Sequence, residues 1–83
     1  MASFLQDALD DYEIRSLVKI HAGTEAADKL PGREVGHAYL VEKAVEILER
    51  RRAIDHEFFI RLHALRGRRR AEILQLENLW FPR

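Results

Sequence analysis

Apolar positions recur with helical spacing along almost the whole chain, and one stretch sets the pattern for the rest. On a helix advancing 100° per residue, Gly36–Arg52 (GHAYLVEKAVEILERRR) places Ala38, Leu40, Val41, Ala44, Val45, Ile47 and Leu48 on one half of the wheel. Glu42, Lys43, Glu46, Glu49 and Arg50 occupy the other half. An apolar arc of about 180° is wider than the stripe of roughly 100° on an ordinary surface helix. The pattern therefore predicts a central helix of a bundle, ending near Arg51, with Gly36 as N-cap and Val35 packing on Leu40 as a staple.

The neighbouring segments read the same way. Ser3 with Gln6 forms a capping-box pattern ahead of Phe4, Leu5, Ala8 and Leu9. Asp10 with Glu13 repeats it ahead of Ile14, Leu17, Val18 and His21, with Arg15, Ser16 and Lys19 facing away and Gly23 closing the helix. Thr24 caps one short turn, Glu25 to Lys29. Leu30-Pro31-Gly32-Arg33 has Pro and Gly at the central positions of a type II turn. Asp55 caps a helix through about Arg66, with Phe58, Phe59, Leu62 and Leu65 as its core. After Gly67 a last helix runs from about Arg69 to Trp80, carrying Ile73, Leu74, Leu76 and Trp80, and Pro82 stops it. No stretch alternates with period two long enough to be a strand. The expected fold is all-α: a compact six-helix bundle with a short third helix, in one domain over residues 1–83, with 81–83 suited to a linker or chain end.

Composition narrows the chemistry. The 83 residues contain no cysteine, which excludes disulfides and thiolate metal sites. No apolar run reaches the ~20 residues of a membrane span, and the N-terminus turns acidic too early for a secretory signal, so a soluble cytoplasmic protein is expected. No histidine stands at a metal-ligand spacing from another His or a carboxylate. His21 and His63 read as packing residues at the edges of apolar faces, His37 and His56 as solvated residues in first helical turns. Two serines, one threonine and four scattered glycines supply neither an activated nucleophile nor a phosphate loop. The chain is expected to be no enzyme, with no catalytic, cofactor-binding or metal-binding residues.

Charge is the informative polar feature. The net charge is zero, yet residues 1–42 carry eight acids against four bases and residues 43–83 carry ten bases against six acids. Arg50, Arg51 and Arg52 end the central helix, where cations suit the dipole. Arg66, Arg68, Arg69 and Arg70 bracket Gly67, and the last three stand where the dipole disfavours them, which invites a partner. Asp7, Asp10, Asp11 and Glu13 form the opposing acidic set. These eleven residues are the candidate partner-binding positions. An acidic protein surface suits the arginines; so does nucleic acid, since RLHALRGRRRAEILQLE has a helix-turn-helix outline. A third reading is a structural cap that docks through Leu79, Trp80 and Phe81.

The order of these features resembles the effector-associated domains of bacterial conflict and signalling proteins, six-helix modules related to the death-fold superfamily. The similar elements are FLQDAL and IRSLVKIH, the Pro-Gly segment and a long helix closing on Glu-Arg-Arg. After them come Ile-Asp, Phe-Phe-x-x-Leu, a basic turn and a late Trp. The resemblance implies an adaptor that binds another domain of its kind through acidic and basic patches, joining a sensor or NTPase to an effector. It also implies a place in a longer chain. The departures are Gly36 for a capping Ser, Arg52 for a closing Gly and Gly67 for a Pro; a non-Gly residue in a left-handed position costs on the order of 1 kcal/mol.

Overall fold

Asp10 shows how the local signals become structure. Its carboxylate accepts from the Glu13 backbone N–H at 2.8 Å, while the Glu13 carboxylate accepts from the Asp10 N–H at 3.1 Å. This reciprocal cap starts α2, Asp11–Ala22. In the computed structural model, which describes residues 1–32 and 34–81, every regular element is helical. The others are α1, Ala2–Ala8; α3, Thr24–Ala27; α4, His37–Arg50; α5, His56–Leu65; a 3-10 turn, Gly67–Arg69; and α6, Arg70–Trp80. The all-α expectation of six helices with a short third one therefore holds. The chain divides into two compact units, Met1–Ala53 and Ile54–Arg83.

In the first unit Leu5, Ile14, Leu17, Val18, Ala26, Leu40, Val41, Ala44 and Leu48 are buried. The buried stripe of α4 is narrower than its wheel suggests: Leu40, Val41, Ala44 and Leu48 are covered, Val45 and Ile47 are half-buried, and Ala38 is exposed. Arg15 and Ser16 of α2 are half-buried rather than turned to water. Two expected caps are corrected. Ser3 does not cap α1, because the Met1 carbonyl already accepts from the Leu5 N–H and places Ser3 inside the helix. Thr24 lies inside α3, whose N-cap is Gly23 (φ 95°), a conformation that suits glycine. Gly32 does not take the positive φ of a type II turn, and Arg33 of that turn lies outside the described residues, as does Pro82.

The exit of α4 is a Schellman motif. The Ala53 N–H bonds the Leu48 carbonyl at 2.9 Å and the Arg52 N–H bonds the Glu49 carbonyl at 3.1 Å. Arg52 sits at the left-handed position with φ 52°, where glycine is the usual residue. Arg51 and Arg52 thus leave the apolar arc because the helix has ended. Arg52→Gly should stabilise the protein by on the order of 0.5–1 kcal/mol, the relieved left-handed strain less the entropy glycine adds to the unfolded chain. A urea titration of both proteins that gives equal or lower stability for the glycine variant would contradict this.

In the second unit the Asp55 carboxylate accepts from the Phe58 N–H at 3.0 Å and starts α5. Phe58, Phe59, Leu62 and Ile73 are its buried residues from α5 and α6. Phe81, just past α6, stacks on His56 (centroids 4.4 Å) and meets Phe59 edge-on (5.7 Å). The start of α5 and the end of α6 are therefore side by side, and the two helices form an antiparallel hairpin.

Candidate interaction surfaces

The four acidic candidates belong to the first unit, around the end of α1 and the start of α2. Asp10 and Glu13 are held in the capping box, and Asp7 is exposed. Asp11 pairs with His37 across 26 positions of sequence. His37 is the first residue of α4. Its Nδ1 faces the Asp11 carboxylate and its Nε2 lies 3.0 Å from the Gln6 carbonyl. Both partners are acceptors, so only the imidazolium, with N–H on both nitrogens, satisfies both. The hydrogen bond to Asp11 raises the His37 pKa above its ordinary 6.5; partial burial opposes this, and the Gln6 carbonyl adds to the rise. The expectation of a solvated His37 is thus corrected: it ties the ends of three helices together.

These carboxylates gather around the end of α1 and the start of α2. Amid them stands Tyr12, 78% exposed. Its neighbours Asp11 and Glu13 and nearby Asp10 give an aromatic ring set in an acidic surround.

The basic candidates fall in both units. In the first, Arg50 pairs with Glu46 at 3.0 Å, one turn back on α4, and Glu46 also meets Lys43 at 3.5 Å. Arg51 and Arg52 are exposed, and their side chains make no hydrogen bond or ion pair among the described residues. Lys29, just after α3, is likewise exposed and unpaired among them. Ala26, Lys29, Ile47, Arg50 and Arg51 line a small pocket of about 70 Å³. Its described lining combines Ile47 and the fully buried Ala26 with three cations, of which Arg50 is already engaged by Glu46.

In the second unit Arg66 Nη1 donates to the Leu65 carbonyl at 2.7 Å. Arg69 grips Glu72 with two bonds, Nε to Oε1 at 3.0 Å and Nη2 to Oε2 at 3.2 Å. This fork answers part of the problem posed by cations ahead of α6, because Glu72 brings a negative charge into that first turn. Arg68 and Arg70 are exposed and make no such bond among the described residues. Arg70, His63 and Gly67 line an open cavity of about 290 Å³. His63, expected as a packing residue, instead bonds Glu77 at 2.7 Å, joining α5 to α6.

Among the described residues no group of three His, Asp or Glu side chains is arranged to hold a metal ion, and no helix is long and apolar enough to cross a membrane. Comparison with family models, curated proteins and solved structures gives no match to the chain.

Sequence reasoning missed Tyr12, Lys29 and His37 as surface-forming residues. Tyr12 carried a signal: it is an aromatic residue off the apolar face of α2 in an acidic run. Lys29 and His37 carried none, since their neighbours come from distant positions.

Proposed function

We propose that this chain is a non-catalytic adaptor module of the death-like, effector-associated kind. It binds another helical domain of that kind and so couples a sensor or NTPase to an effector in a bacterial conflict or signalling system, in the cytoplasm. The observation that carries this reading is the set of exposed arginines whose side chains have no hydrogen-bond or ion-pair partner among the described residues: Arg51, Arg52, Arg68 and Arg70. A cation held in a local ion pair has its role inside the fold, as Arg50 and Arg69 do; the side chains of these four are held in none among the described residues. Exposed charge of this sort contributes to encounter rate and partner choice more than to stability. The acidic end of α2 supplies a surface of the opposite sign.

The test is complex formation, followed by light scattering and by binding to candidate helical domains, as salt rises from 50 to 500 mM. The Debye length falls well below 10 Å over that range, so affinity should drop several-fold. Reversing three of the charges together (Arg51→Glu, Arg68→Glu, Arg70→Glu) should weaken association about tenfold, the effect of about 1.4 kcal/mol. Unchanged association in the triple variant would remove the charge-pairing basis of the reading. Tight, steeply salt-dependent binding to duplex DNA or RNA in a gel shift would replace it with a nucleic-acid-binding module.

A further inference from the structure

The direction of the helices in the first unit separates its charges. The His37–Asp11 pair places the N-termini of α2 and α4 together. The pocket formed by Ala26 and Lys29 with Ile47, Arg50 and Arg51 places the segment after α2 beside the C-terminus of α4. The two helices therefore run side by side in one direction. The thirteen steps of α4 from His37 to Arg50 span roughly 20 Å. One end of the unit presents Tyr12 among Asp10, Asp11 and Glu13, and the other, about 20 Å away, presents the cation-rimmed pocket.

We infer that the first unit associates with further copies of itself head to tail, the Tyr12 end of one copy seating on the Lys29–Arg50–Arg51 pocket of the next. This rests on the adaptor reading and names the two faces involved. The occupant follows from complementarity in both charge and polarity. The pocket asks for an apolar contact against half-buried Ile47 and for anions near the exposed Lys29 and Arg51. Tyr12 is, with Leu79, the most exposed large apolar side chain of the described residues, at 78%, and carboxylates flank it. At about 70 Å³ the pocket is too small to swallow a phenol ring. The ring lies across it, covers Ile47 and offers its face to the Arg51 guanidinium, a cation–π geometry favourable for Arg and Tyr. Tyr and Arg are also the residue types over-represented among energetic centres of protein interfaces.

The two faces differ and lie at opposite ends, so the contact is heterologous. A heterologous contact that does not close into a ring grows without limit. Wild-type protein at low salt should therefore increase in mass continuously with concentration rather than stop at a dimer.

Two variants give the decisive experiment. Tyr12→Ala removes the head, and the double variant Lys29→Glu, Arg51→Glu reverses the tail. All three side chains are exposed, so helix content by circular dichroism should match wild type. In sedimentation velocity each variant alone should be monomeric at concentrations where the wild type assembles. Mixed one to one, they should form a dimer and go no further, because one intact head meets one intact tail and both remaining faces are dead. Assembly of either variant like wild type, mixed assemblies longer than two, or a wild type of fixed dimeric mass would overturn the head-to-tail contact and leave the adaptor reading standing. A wild type that stays monomeric throughout would overturn it as well. The adaptor reading would then fall only if helical partner domains also failed to bind.

Discussion

Truncating Leu48 to alanine should cost the protein about 3 kcal/mol, within the 2–5 kcal/mol spread of buried leucine truncations. Leu48 is 1% exposed and stands in the last turn of α4, where its carbonyl takes the Ala53 N–H that closes the helix. Removing its side chain leaves a void beneath the Schellman turn, and buried Ala53 has too few atoms to fill it. A chain of this length holds about 4–12 kcal/mol in total, so the loss is a large share. Urea unfolding followed by far-ultraviolet circular dichroism gives the measurement, with Ile60→Ala as the control. Ile60 is 66% exposed, and its truncation should stay within about 0.5 kcal/mol. A Leu48→Ala loss no larger than the control's would mean that α4 does not anchor the core of its unit.

The reasons that Leu48 could be picked out from sequence also show where pattern reading stops. Helical period and caps are local properties. Asp10 with Glu13, Asp55 with its bond to Phe58, and Gly36 ahead of α4 all stand in the structure as their spacing predicts. The wheel of α4 gave the correct centre of the buried stripe but too wide an arc. A wheel cannot know how many neighbours a helix has, and Val45 and Ile47 are only half-buried. The Ser3 and Thr24 caps failed for a different reason. Both were read from side-chain preferences near the start, while the backbone found its first acceptor earlier, at Met1, two residues before Ser3, and at Gly23, one before Thr24.

Arg52 shows the useful kind of conflict. The chain places an arginine where a helix of this shape asks for glycine, and the structure keeps the left-handed turn despite the strain. The surfaces were legible only in part. That Arg50 and Arg69 are occupied by acids one turn away follows from i,i+4 and i,i+3 spacing. That Lys29 shares a pocket with Arg51, or that His37 reaches Asp11, depends on tertiary packing that no local spacing contains.

The His37 cluster leads to the second large effect, a stability that falls as pH rises through neutrality. Folding raises the His37 pKa above its ordinary 6.5, so the folded protein holds this proton more tightly than the unfolded chain. The contribution is complete below about 6.5 and is lost as pH climbs through the folded-state value. Above it the neutral ring can donate to only one of its two acceptors, and the Asp11 charge loses its counter-ion. The side chains of His37 and Asp11 are 30% and 47% exposed, so solvent screening limits the effect to about 1 kcal/mol. The measurable quantity is the difference in unfolding free energy between pH 6 and pH 8, compared between wild type and Asp11→Asn. The variant should lose most of the decline that belongs to His37. It also loses a favourable charge in the first turn of α2, worth about 0.3–1 kcal/mol, but that loss lowers stability at both pH values and leaves the slope untouched. The slope therefore isolates the ion pair. His37→Gln should flatten the same slope from the other partner. If both variants keep the wild-type decline, the pH dependence comes from another group and His37 does not pin the three helix ends in solution.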